Sequence, residues 1–198
     1  KAVRDPTKPG SATFMGVASP AHQQRAIAWG LREVAEAAYI TPDDHPLKSY
    51  YTDQLVGAMD GMVKYYITDN RMAKYGELQG FVLGSESMIS PWQQSYIVTA
   101  LGEIAGMDLP GASDNAIQIL NYMTNFVAGL YTNGENGYDS DNGTAYWLYI
   151  KDPETGTAYS TWSELSDKNV ENYALYRTGW GLPSANPESL GKTNLTHT

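Results

Sequence analysis

The sequence has no cysteine and little positive charge, and both deficits limit what the chain can do. Without cysteine, neither a disulfide nor a thiolate metal site can form. Lys and Arg number 13 against 22 Asp and Glu, which gives a net charge of −9. Nucleic acids and anionic membranes are bound through Lys/Arg patches, so this balance argues against both partners. A run of about 20 apolar residues is also lacking, so we expect no membrane insertion.

Tyrosine and tryptophan, in contrast, are abundant, with 15 Tyr and 5 Trp among 198 residues. With 42% hydrophobic and 18% charged residues, this composition predicts one globular domain rather than a disordered chain. Tyr and Trp combine an apolar face with a polar group, which suits stacking on sugars, but a helical core uses them too. The chain begins at Lys1 without an initiator Met or a signal-peptide pattern, so we expect a trimmed product or part of a longer protein.

Four segments repeat apolar residues at steps of three and four, which predicts amphipathic helices. Two of them begin with Ser-Pro, a helix-start combination of an N-cap residue and a first-turn proline. Short links join the first segment to the second and the third to the fourth, so each pair should form an antiparallel hairpin. The fourth segment is apolar nearly all round, from which we expect burial on two sides. The predicted helices cover residues 20–39, 46–67, 91–106 and 114–131.

The remaining chain is assigned to the same single helical domain, 1–198. Two strand-like runs flank an Asp-Pro-Glu-Thr-Gly turn and predict a β-hairpin near 144–162. A short helix is expected near 163–176. In order, the domain consists of an irregular arm (1–19), two αα-hairpins (20–131), a loop with the β-hairpin (132–162), and a short helix with a tail (163–198).

Two stretches, "RAIAWGLREVAEAAYITPDDHPLKSYY" and "SPWQQSYIVTALGEIAGM", resemble segments of bacterial secreted proteins with (α/α)-toroid folds. These proteins form the broad group of six-hairpin glycosidase-like and polysaccharide-lyase-like folds, and the resemblance covers residues 20–175. It implies a mainly α fold in which antiparallel helical hairpins form part of an (α/α) toroid, with a small β-hairpin insertion. It also implies a secreted or periplasmic carbohydrate-associated protein. The shared motifs are packing motifs, so no catalytic residue is carried over from the group.

Asp43-Asp44-His45 places three ligand-type residues in a row and raises the alternatives of a metal site or a turn. The triplet falls in the short link between the first two helices, whereas functional residues usually collect where long loops meet. We therefore interpret it as a turn, in which the aspartates cap the backbone N–H groups of the second helix.

At the opposite end of the bundle, the helix starts and the long connections should meet. Aromatic rings beside carboxylates and amides are the mixture that a polyhydroxylated ligand needs. Two carboxylates could act as acid and base in glycoside cleavage, and a His or Tyr near an Arg could abstract a proton in a lyase. The catalytic candidates are Glu77, Glu86 and His22; the ligand-binding candidates are Gln23, Arg25, Trp92, Gln93, Tyr138 and Trp147.

"Asp139-Ser-Asp141-Asn-Gly" resembles the opening of a calcium loop, with oxygen ligands at alternate positions and a turn glycine. The bidentate glutamate that completes an EF-hand is missing, so the segment is not an EF-hand. Two alternatives follow: a solvated polar loop, or a loop that is stabilised by calcium held by Asp139 and Asp141. Apart from calcium, no cofactor is expected.

The leading functional hypothesis is a carbohydrate-associated toroid domain, related to glycoside hydrolases or polysaccharide lyases, with an oligo- or polysaccharide as partner. The alternative is a non-catalytic binding or structural module of a larger secreted protein, and a third option is a helical bundle that binds a small ligand. Because the chain is acidic, neutral sugars should bind better than uronates unless Arg25 and Arg71 line the cleft.

Overall fold

The computed structural model describes residues 24–82, 87–139 and 147–169. This part of the chain is mainly helical, which confirms the predicted class. The predicted arm, the first helix start and the tail lie outside it. A fifth helical segment, α5, covers 162–169 up to the end of the described residues. The four long helices are α1 (Gln24–Ile40), α2 (Lys48–Met62), α3 (Pro91–Gly106) and α4 (Ser113–Thr132).

The link between α1 and α2 is the predicted turn, but its capping differs from the prediction. Lys48 Nζ donates to the carbonyls of Ala38 at 2.8 Å and Thr41 at 2.9 Å, and so caps the end of α1. Asp43 is fully exposed and pairs with Lys48 at 3.3 Å. The N-cap of α2 is Leu47, without a side-chain cap. The prediction that aspartates cap α2 is therefore wrong, because the N-cap position is taken by Leu47 and the carboxylate of Asp43 pairs with the Lys48 side chain instead.

The second predicted helix is present, but its last part changes its hydrogen bonding. α2 continues without interruption into a π-helix at Val63–Thr68. The backbone N–H of Asp69 donates to the carbonyl of Lys64 at 2.8 Å, five residues earlier, as that wider helix requires. Two short 3₁₀ turns, separated by a kink at Gly76, follow within Ala73–Leu78 and lead toward α3.

The two hairpins lie side by side with equivalent helices parallel. The backbone N–H of Arg25 donates to Gln93 Oε1 at 2.8 Å, and farther along Arg32 pairs with Glu103 at 3.3 Å, so α1 and α3 run in the same direction. Asn115 on α4 donates to Asp60 on α2 at 2.7 Å. The second hairpin therefore repeats the placement of the first, with the apolar stripes of all four helices facing one core.

The predicted β-hairpin is only partly correct. Its turn exists, because the backbone N–H of Asp152 donates to Thr157 and that of Tyr159 donates to Ile150. However, the strand β2 (Leu148–Tyr149) pairs antiparallel with β1 (Met88–Ile89), which lies in the connection before α3. Alternation of apolar and polar residues indicates that a strand can form, but it does not indicate which other strand it pairs with. The two long connections thus do meet, as the bundle topology predicted.

α4 buries one stripe rather than two sides, so that expectation was wrong. Ile117 is 43% exposed, while Met123 and Phe126 are buried. The buried stripe ends on a run of aromatic rings: Phe126 stacks on Trp162 of α5 at 5.7 Å, and Trp162 meets Tyr138 edge-on at 5.3 Å. A single buried face is enough for a helix at the outside of a two-hairpin bundle.

The chain at Gly80 comes close to α4, and only glycine fits this contact. Its φ is +107°, and a Cβ built there would lie 2.4 Å from the carbonyl oxygen of Tyr122. This contact fixes the segment that carries Phe81 and Val82 into the core. Across all described residues, none of the helices combines the length and the apolarity that a bilayer span needs.

Candidate ligand-binding groove

Among the predicted site residues, Arg25 and Gln93 are brought together, but in a structural role. Gln93 is buried and accepts the backbone N–H of Arg25, as described above. Two further buried glutamines, Gln94 and Gln24, also form hydrogen bonds with backbone groups. Gln94 exchanges two hydrogen bonds with the backbone of Val82, and Gln24 accepts the N–H of Ser90 at 2.8 Å while donating to the Val82 carbonyl. These amides satisfy backbone groups near the helix starts, as buried polar groups must be satisfied.

Tyr138 is a core residue, so it cannot offer a ring face to a sugar. Its side chain is 2% exposed and packs against Trp162. Burial raises the pKa of its phenol, with a smaller contribution from the charge of Asp139. Tyr138 follows Gly137, which has a φ of +81° and turns the chain inward. This position corrects the prediction that Tyr138 belongs to the ligand-binding surface.

The other predicted residues are dispersed. Glu77 is exposed, and its backbone N–H donates to the carbonyl of Ser160 at 2.9 Å. Trp147 is half-buried and precedes β2. Trp92 is half-buried and meets Tyr96 edge-on at 5.7 Å. The candidates His22, Gln23, Glu86 and Asp141 lie outside the described residues.

The remaining calcium candidate, Asp139, is exposed, and its backbone N–H donates to Ser166 Oγ at 3.1 Å. Within the described ranges, no cluster of three or more His, Cys, Asp or Glu has the arrangement of a metal site. Since Asp141 is outside those ranges, calcium at this loop stays a prediction.

A groove between α1 and α3 has the character expected of a ligand site. Its cavity volume is about 410 Å³, within the range of small-ligand sites. The floor contains the buried residues Ala28 and Ala100, whose small side chains leave the space open. The walls are formed by Trp29, Arg32, Glu33 and Glu36 of α1 and by Tyr96, Thr99 and Glu103 of α3.

Two large aromatic side chains of the groove are exposed to solvent. Trp29 is 63% exposed and Tyr96 is 48% exposed. Trp29 lies off the apolar stripe of α1, which is why its indole is not drawn into the core. Tyr96 is supported by the edge of Trp92, which holds the phenol ring at the groove. Exposed rings on a concave surface are typical of sites that stack on a ligand.

The charged wall of the groove is built around one arginine. Arg32 Nε lies 2.7 Å from Glu36 and 3.3 Å from Glu103, so it joins the two helices. The hydrogen bond to Glu36, with the charges of Glu103 and Glu36, raises the pKa of Arg32. Glu33 is exposed and has no ion-pair partner in the described part of the chain. Three carboxylates and one guanidinium leave the lining with a surplus of negative charge.

The residue pattern does not reveal this groove, because Tyr96 is spaced in the sequence like the apolar residues of α3. One signal was available: Trp29 lies about one helical turn from Arg32 and Glu33, away from the apolar stripe of α1. No match to a family model, to a curated protein or to a solved structure was found for this chain. The function of this chain is therefore inferred from the geometry of the groove.

Proposed function

We propose that this chain is a carbohydrate-binding domain made of (α/α)-toroid-type hairpins, and that the groove between α1 and α3 holds the saccharide. The observation that supports the proposal is the pair of exposed rings, Trp29 and Tyr96, on the two sides of one groove that also carries charged side chains. Rings supply apolar faces for stacking on sugar C–H groups, and the neighbouring carboxylates and Arg32 can hydrogen-bond hydroxyl groups. The parallel repetition of one hairpin beside the next supports the toroid part of the proposal.

Binding is better supported than cleavage. The catalytic candidate Glu77 is not among the residues that line the groove. Glu36 and Glu103 do line it, but both share Arg32 and their side chains are 47% and 37% exposed. A general acid in a glycosidase usually occupies an apolar, enclosed environment instead. The relationship to glycoside hydrolases or polysaccharide lyases is accordingly proposed as one of architecture, in a secreted protein.

The proposal is tested by titrating the full chain with neutral oligosaccharides, such as cello-, xylo- and manno-oligomers, while following tryptophan fluorescence and heat. We expect binding that Trp29→Ala and Tyr96→Ala each weaken roughly fivefold, since one stacked ring contributes about 1 kcal/mol by analogy with aromatic pairs. Tyr39→Ala is the matched control, because Tyr39 is an exposed ring on the same helix but outside the groove.

Two results would contradict the proposal. One is the absence of a response to any oligosaccharide, and the other is equal weakening by Tyr39→Ala and Trp29→Ala. A release of reducing ends during the titration would show that the chain cleaves its ligand. Glu77 and the other catalytic candidates would then be the residues to test for that cleavage.

The second candidate function, a structural module of a larger protein, is favoured by a different surface. Ile40 is 74% exposed at the end of α1, its sequence neighbour Tyr39 is exposed too, and so is Leu47 at the other end of the link to α2. Apolar side chains grouped in this way are typical of contact surfaces between proteins or domains. If the chain binds no saccharide, a structural module would be the better supported of the two functions.

A further inference from the structure

We infer that the groove between α1 and α3 selects saccharides that carry an ammonium group, in preference to neutral or uronic sugars. This inference deepens the proposed function and depends on it. It concerns the ligand's charge, which the aromatic rings alone do not determine.

The lining of the groove has a surplus of negative charge. It contains three carboxylates, those of Glu33, Glu36 and Glu103, and one guanidinium, that of Arg32, which lies within 3.3 Å of both Glu36 and Glu103. Arg32 is therefore shared between two carboxylates of the wall, and a uronate would have to compete with both for it. An incoming ammonium group, in contrast, meets surplus negative charge. Since two of these carboxylates are partly exposed already, a cation can pair with them without a large desolvation cost.

The aromatic rings of the groove favour the same sign of charge. Trp29 and Tyr96 both line the groove and are exposed to solvent. The negative face of an aromatic ring attracts a cation, and tryptophan does so most strongly. An amino sugar can therefore stack its C–H face on one ring and place its ammonium group toward the carboxylates. A neutral sugar uses only the first of these contacts.

The test compares three oligomers of equal length on the full chain by calorimetry: β-1,4-linked glucosamine, its N-acetylated form, and galacturonate. We expect the glucosamine oligomer to bind roughly tenfold more tightly than the N-acetylated one, from cation–π and exposed ion-pair contributions. The galacturonate oligomer should bind most weakly. The preference should shrink at high salt and when the pH is raised until the ligand's amine is neutral.

Charge variants separate the groove from the overall charge of the chain. Glu33→Gln and Glu103→Gln should each reduce the preference for the amine, whereas Glu135→Gln should leave it unchanged. Glu135 is an exposed glutamate outside the groove, so this control removes the same charge. Equal loss in all three variants would assign the preference to net charge and overturn the inference. Neutral binding as tight as amine binding would overturn it and leave the proposed function intact, while no binding of any oligomer would contradict both.

Discussion

Replacing Gly129 with alanine should destabilise the fold, although alanine is the better helix former. Gly129 lies in α4, and a Cβ built there would be 2.2 Å from Trp162 Cζ2 and 2.4 Å from Cη2. Ordinary contact begins at 3.4 Å, so the indole would have to withdraw by the difference between 3.4 and 2.2 Å, about 1.2 Å. Trp162 has little room, because it is 5% exposed and held by Phe126 and Tyr138.

The magnitude follows from two opposing contributions. Overpacking a close-packed core costs about 1–3 kcal/mol. The gain in helix propensity from Gly to Ala is at most about 1 kcal/mol. The expected net loss for Gly129→Ala is therefore about 1–2 kcal/mol in the free energy of unfolding, measured by urea denaturation with circular dichroism.

Gly102→Ala provides the matched control, since a Cβ at Gly102 in α3 would meet nothing within 4 Å. This variant should gain about 0.5–1 kcal/mol, because it has the propensity benefit without the clash. Combining Gly129→Ala with Trp162→Phe, which removes the obstructing ring atoms, should cost less than the sum of the single changes. If Gly129→Ala proved as stable as Gly102→Ala, the packing of α5 on α4 described here would be refuted.

Two other predictions concern the link at residues 41–47 and the buried phenols. Lys48→Met should lower the free energy of unfolding in urea by about 1 kcal/mol, since it removes the cap from the carbonyls of Ala38 and Thr41. Asp44→Ala should change the free energy of unfolding little. A larger loss of stability in Asp44→Ala than in Lys48→Met would contradict this capping. Burial raises the pKa of Tyr75 and of Tyr122 to about 12 and also raises that of Tyr66, whereas the unfolded phenols ionise near pH 10. Burial of the neutral phenols therefore contributes its full stabilisation below pH 10, and this stabilisation is lost as the pH rises from 10 through the pKa values of the folded state. The urea midpoint of unfolding should fall only in this alkaline range. An unchanged midpoint in strong alkali would contradict the burial of these phenols.

The four long helices were predictable from the sequence because their signal is local. A stripe such as Leu55, Ala58, Met59 and Met62 repeats at steps of three and four, and the structure buries all four residues. Short links also fix the antiparallel direction within each hairpin. The Ser-Pro start at Ser90 and Pro91 coincides with the beginning of α3. None of these features requires knowledge of distant contacts.

The capping, the strand pairing and the groove were not predictable, because each depends on a contact between two different elements of the fold. Lys48 is the first residue of α2, yet its side chain caps the end of the preceding helix, α1. Rules for the first turn of a helix consider only the helix that contains the residue, so they do not predict this cap. β2 forms its sheet with Met88 and Ile89, some 60 residues earlier, and not with the neighbouring run. Tyr96 is spaced four residues from both Trp92 and Ala100, and only the position of α1 beside α3 shows that its side chain lies at a groove open to solvent.

The arrangement of side chains along the groove gives a ligand a direction. On α1, Trp29 is followed by Arg32 and Glu36, and on α3, Tyr96 is followed by Glu103. Because the two helices run parallel, the rings lie nearer to the helix starts and the ion-pair network lies about two turns farther along. Seven residues of helix correspond to about 10 Å at 1.5 Å per residue. A ligand that touches the rings and also Glu36 or Glu103 must therefore extend over about this length, with an apolar face at one end and polar or cationic groups at the other. Glu33 lies only about one turn from Trp29, so it can be reached by a shorter ligand, such as one amino sugar stacked on the indole.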